Sequence, residues 1–201
     1  MRKSLIAALV LVAAPASATP WVDDLGRSMS FFYPGSKPLQ LQAGVHGLAD
    51  GVQAFQKVCL TGAFDKASIG AAVQSLGWNF AYREQMMPFK KPVDVGGWDA
   101  SDAAVYAADG IFFNKLPQCN LTFAPAGPAS LADVQNAISA AVGAQPRNAD
   151  KAFDKKGRPN KRYEPEWSLA QPDGSSQLIF ARLSPTLKGA VHLAVLKKAA
   201  K

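Results

Sequence analysis

Two thiols, Cys59 and Cys119, and two imidazoles, His46 and His192, are the scarcest reactive groups in a chain of 201 residues. The thiols lack the C-x-x-C spacing and the activating charges of a redox pair. A single structural disulfide is therefore the expected use, with two buried thiols or a redox pair as the alternatives. Closing about 60 residues into a loop would stabilise the fold by ~4 kcal/mol through the entropy of the unfolded chain. Neither histidine has a Cys, His or acidic neighbour at metal-ligand spacing, so a structural or solvated role is expected for both and no metal or cofactor is called for. Asp99, Asp102 and Asp109 form a loose acidic run, and Glu164 and Glu166 a second one. Paired carboxylates can do acid–base work, but nothing in the sequence sets two of them across a cleft. Ser175-Ser176 lacks the glycine framing of a nucleophile elbow, and there is no phosphate-binding glycine loop.

The strongest chemical signal is charge. Between Arg147 and Arg162 there are seven basic residues, Arg147, Lys151, Lys155, Lys156, Arg158, Lys161 and Arg162, against Asp150 and Asp154. This segment holds most of the formal charge of +7. Such a loop could meet phosphate-bearing lipid, nucleic acid or an acidic protein, or could be a solvated mobile loop. Candidate ligand-binding residues are Lys155, Lys156, Arg158, Lys161 and Arg162, joined by Lys90 and Lys91 in the stretch that also holds Met86, Met87 and Phe89. The four tryptophans, Trp21, Trp78, Trp98 and Trp167, are read as core packing rather than stacking platforms.

The chain opens with Arg2 and Lys3, an apolar run from Leu5 to Ala14, and Ala16-Ser17-Ala18, the three regions of a secretory signal. Residues 1–18 are thus expected to be a signal peptide, leaving 183 of the 201 residues. Residues 19–50 read as an irregular arm, 51–196 as one α+β domain and 197–201 as a frayed tail. An exported protein has little routine access to nucleic acid, and no later segment has enough continuous apolar residues to span a bilayer. Asn120-Leu121-Thr122 matches a glycosylation sequon, but it sits in an expected strand.

The elements that must hold these groups follow from periodicity. Val52, Phe55, Val58 and Cys59 share a helical face. Asp65 caps a further run through Ile69, Ala72, Val73 and Leu76 to Gly77. Trp78–Tyr82 reads as a short strand and Arg83–Gly97 as a long irregular loop. An antiparallel meander is expected next, through 104–106, 111–113 and 119–123, with a turn at Asp109-Gly110. Ser130-x-x-Asp133 opens a helix whose stripe of Leu131, Val134, Ile138, Ala141 and Val142 ends at Gly143. Strands are expected near Trp167, over 178–183 and over 190–196, with Asp173-Gly174 as a turn.

The predicted fold is α+β: an antiparallel sheet with two main helices on one face and a disulfide joining helix to sheet. Each half runs helix, glycine, long loop, tryptophan, D-G pair, two strands. Offsets are 66 from Gly77 to Gly143, 69 from Trp98 to Trp167 and 64 from Asp109 to Asp173. This is either an internal α-β-β duplication or an order of elements shared by chance. If the halves are equivalent, loops 83–97 and 145–166 would lie on one edge as a cationic, partly apolar rim.

The order Phe55-x-x-x-Cys59, Gly77-Trp78, Cys119, Trp167 resembles a loose family of small exported two-cysteine proteins of Gram-negative bacteria that has no assigned activity. The resemblance spans much of 55–196. It implies a periplasmic address and transfers no functional residues. The expected function is a non-enzymatic periplasmic protein that contacts an envelope component or protein through its long basic loops. The alternative is a hydrolase of envelope polymers using two of Asp99, Asp102, Glu164 and Glu166.

Overall fold

The computed structural model describes residues 21–22, 28–29, 41–42, 44–60, 64–87, 93–108, 116–184 and 189–200. Two short strands, β1 (Trp21–Val22) and β2 (Ser28–Met29), pair with each other. Helix α1 (Leu48–Phe55) continues into a π-helical turn over Gln56–Leu60, and α2 (Lys66–Gln74) follows. Four strands come next: β3 (Ala81–Met87), β4 (Val93–Asp99), β5 (Ala103–Ala108) and β6 (Gln118–Phe123). Helix α3 (Leu131–Val142) leads to β7 (Glu166–Ala170), β8 (Ser176–Leu183) and β9 (Val191–Lys198). The phenylalanines and tyrosine at 31–33, Asp109-Gly110 and the strand expected at 111–113 lie outside the described residues.

Strands β3 to β9 form one antiparallel sheet in the order β3-β4-β5-β6-β9-β8-β7. The first half of the chain makes one meander, the second makes another, and they join edge to edge at β6 and β9. Residues directly opposite in adjacent strands share a face of the sheet. Trp98 lies opposite Val105, which lies opposite Leu121. In the other half Trp167 lies opposite Ile179, which lies opposite Val195. The two tryptophans thus occupy comparable rungs, although Tyr82 of β3 lies beyond Trp98 and Trp167 is on the edge strand. The D-G pairs are out of step: Asp173-Gly174 turns β7 into β8, whereas Asp109-Gly110 falls between β5 and β6.

The helices cover the face these rungs build. Phe55 and Val58, then Ile69 and Val73, then Val134 and Ile138 bury against Trp98, Leu121, Trp167, Ile179 and Leu193 in one cluster. Helix α3 is fixed as its sequence predicts. The Ser130 hydroxyl accepts from Asp133 N, the Asp133 carboxylate accepts from Ser130 N, and Gly143 ends the helix at φ +67°. Gly51 brings α1 against the sheet, since a Cβ there would stand 2.1 Å from the Phe123 ring.

Cys59, on the π-helical turn, is bonded to Cys119 on β6, with Cα atoms 5.5 Å apart. Both are buried in the core. The bond ties the first helical segment to the centre of the sheet, as the cysteine count led us to expect.

One expectation is corrected. Residues 83–97 are not an irregular loop: most of them belong to the β3–β4 hairpin, paired from Ala81↔Asp99 to Met87↔Val93. The period-2 pattern is broken at Gly96 because the Trp98 indole occupies that space; a Cβ on Gly96 would lie 2.7 Å from it. The strands expected from Trp167 onward complete the one predicted antiparallel sheet.

Candidate functional site

The four carboxylates proposed for hydrolysis do not form one cluster: the aspartates and the glutamates lie at separate places on the sheet. Asp102 sits in the turn between β4 and β5, while Glu164 and Glu166 lie at the start of β7. Four strand spacings separate β5 from β7, or about 19 Å at the usual 4.8 Å each. Glu166 pairs with Arg147, and Glu164 lies 3.6 Å from the guanidinium of buried Arg182. Asp99 ends β4 in a half-buried position. Among the described residues no group of three or more His, Cys, Asp or Glu side chains could hold a metal ion.

Asp102 has a partner that its sequence neighbourhood could not reveal. Its buried carboxylate accepts from His46 Nδ1 at 2.8 Å and from Val45 N at 3.2 Å. The His46 ring stacks on Trp78 with centroids 3.7 Å apart, and Trp78 stacks in turn on Phe80. A carboxylate accepts, so Nδ1 is the donor of this bond. The assembly borders an open cavity of about 560 Å³ between α1 and residues 75–78, lined also by Asp50, Gln53, Gln56 and Lys57. Among the described residues no hydroxyl or thiol is hydrogen-bonded to Nε2. The neighbouring bonds, Gln42 N to Ser101 O and Ala126 N to His46 O, are those of a clamp. They bind the segment before α1 to the end of the sheet.

The second face of the sheet is also buried at its central strands, β6 and β9, and carries a polar row there. Thr122, His192 and Arg182 lie side by side across β6, β9 and β8, and Gln118 and Asn120 continue along β6. Thr122 Oγ1 meets His192 Nδ1 at 2.8 Å. Burial, reinforced by the Arg182 charge, pushes the His192 pKa down to about 3, so the ring is neutral. His192 therefore faces the second side and is buried there, the structural of the two roles expected for it. Gln118 Oε1, Asn120 Oδ1 and His192 Nε2 have no hydrogen-bond partner among the described residues. Asn120 is buried between two strands, which leaves the sequon at 120–122 inaccessible.

The basic loop is far from a structureless tether. After a 3₁₀ turn at Ala149–Lys151 the chain makes a small hairpin. Asn160 N donates to Ala152 O, Asp154 N to Arg158 O, and Gly157 N back to Asp154 O. Phe153 pairs with Pro159 across it. The turn is Lys155-Lys156-Gly157, with Gly157 at φ +73°, the three-residue form in which glycine takes the left-handed position. Asp154 organises this turn. Its carboxylate accepts from Lys156 N, Arg158 N and Arg158 Nε, and these bonds, Arg158's foremost, hold its pKa below the ordinary value. At the base Asn148 bridges Glu164 O and Glu166 N, and the buried Tyr163 hydroxyl donates to Gln135 of α3 at 3.2 Å.

This geometry sorts the predicted ligand residues. Arg158 is spent on Asp154 and builds the hairpin. Lys155, Lys156, Lys161 and Arg162 are exposed, and their side chains have no ion-pair partner among the described residues. Lys90 and Lys91 lie outside the described residues, between β3 and β4. That hairpin and the 145–166 loop flank opposite outer strands, β3 and β7, so the expected shared rim does not form. Sequence reasoning also passed over Phe153, which is 60% exposed beside the cations. The available signal was Asp154-x-x-Gly157, the chemistry of a tight turn.

Fold and site together define a disulfide-bonded α+β protein with a hydrogen-bonded cationic hairpin at one edge of its sheet. Comparison of the chain with family models, curated proteins and solved structures gives no match.

Proposed function

We propose that the protein is an exported, periplasmic binding protein without catalytic activity, and that the hairpin at 152–162 holds an anionic envelope component or protein. The observation that carries this reading is the state of the cations. Lys155, Lys156, Lys161 and Arg162 stand exposed, without ion-pair partners among the described residues, on a loop whose backbone is hydrogen-bonded into one shape. Ordering a flexible loop on binding costs conformational entropy, and a loop already held in place avoids most of that cost. Export is supported by the charged and apolar N-terminal pattern of residues 2–18 and fits a disulfide in an oxidising compartment. No described helix is long and apolar enough to cross a membrane.

Reversing Lys155, Lys156, Lys161 and Arg162 to Glu while sparing Arg158 tests the reading. The variant is expected to keep its circular dichroism spectrum and to lose association with anionic envelope fractions in a pull-down. Undiminished association would remove the hairpin from the function.

A further inference from the structure

Resting on that binding role, we infer that the hairpin's partner is an anionic phospholipid surface, with Phe153 and Pro159 entering the headgroup layer while Lys155, Lys156, Lys161 and Arg162 meet its phosphates. The two faces of the hairpin differ. Phe153 and Pro159 pair across one face and form an apolar edge; Phe153 is among the most exposed large apolar side chains described. Asp154 and Arg158 pair with each other on the opposite face, so their charges cancel locally. The lysines of the turn lie at the tip, and Lys161 and Arg162 lie at the base, where Arg162 N bonds Asn160 Oδ1. A partner thus meets an aromatic ring flanked on both sides by positive charge.

That combination is what an anionic membrane interface selects. Cations are drawn to the surface potential, and an apolar group beside them partitions into the region between headgroups and acyl chains. The hairpin carries about three residues per strand, so it reaches on the order of 10 Å, comparable with the depth of that region. A soluble anionic polymer would use the same cations but would leave Phe153 in water.

The test is co-sedimentation of the full chain with phosphatidylcholine vesicles, with and without roughly one-third phosphatidylglycerol. Wild-type protein is expected to partition to the anionic vesicles and to remain in solution with the neutral ones. Each Lys→Ala change at 155, 156 or 161 should weaken partitioning about fivefold. Phe153→Ala should weaken it about tenfold, and Phe153→Leu should largely restore it. Both Phe153 variants alter an exposed side chain and should fold as the wild type does. Partitioning unchanged in Phe153→Ala would overturn the wedge. Wild-type protein that ignores anionic vesicles yet still binds anionic envelope fractions would overturn the lipid partner and leave the binding role standing. Failure to bind either would overturn both.

Discussion

His192 should make the fold acid-sensitive between pH 7 and pH 5. In the unfolded chain its imidazole takes up a proton near 6.5; in the native sheet, buried beside Arg182, it does so only near 3. The native pKa is lowered, so its contribution is fully present above 6.5. As pH falls the unfolded state binds a proton that the native state refuses, and stability is lost until about pH 3. Between pH 7 and pH 5 the loss is about 2 kcal/mol, and by pH 3 about 4 kcal/mol. The assay is urea unfolding at pH 7, 6 and 5 on wild type and His192→Gln, a change that keeps a polar side chain beside Thr122. Wild type should lose about 2 kcal/mol more than the variant over that range. Equal losses would refute the placement of a neutral, buried imidazole in the polar row.

Three further outcomes follow from the packing. Replacing Cys59 and Cys119 together by Ser should lower unfolding stability by about 4 kcal/mol, because the bond closes a loop with a sequence separation of 60; a loss under about 1 kcal/mol in urea would contradict it. Gly51→Ala should destabilise by about 1–3 kcal/mol, as its methyl meets the Phe123 ring, and an unchanged melting temperature would show that α1 does not press on β6. Asp154 has a lowered pKa, so the hairpin should be ordered above the ordinary carboxylate value of 3.8 and loosen as pH falls through its native pKa. Amide exchange at Lys156 and Arg158 reads this, and exchange that stays slow in strong acid would count against the carboxylate as organiser.

The sequence was most readable where local chemistry and tertiary packing agree. Ser130, Asp133 and Gly143 mark both ends of α3, and its buried Val134 and Ile138 lie on the predicted stripe. The strand expected over 190–196 is β9, although nothing local showed that its His192 would be buried. Misreadings arose where the determinant is distant. The β3–β4 hairpin lost its signature because Gly96 yields its side-chain space to Trp98. Helix α1 begins at Leu48, before the first clear apolar repeat, with its start fixed by Asp50 accepting from Gly47 N. His46 and Asp102 are 56 residues apart, and only the fold brings their side chains together. The basic loop was half legible. Its charge was plain, whereas the division between Arg158 as builder and its neighbours as contact groups depends on Asp154 geometry. The duplication of order proved useful for the tryptophan rungs and misleading for the loops, since the two meanders join centrally and place those loops at opposite edges.

The most direct test of the account is amide hydrogen exchange on the wild-type protein, with and without anionic envelope fractions. Protection gained over residues 152–162, with the surroundings of the His46–Trp78 cavity unchanged, is the predicted result. Protection gained at that cavity while 152–162 exchanges as before would contradict the claim that the cationic hairpin is where the partner is held.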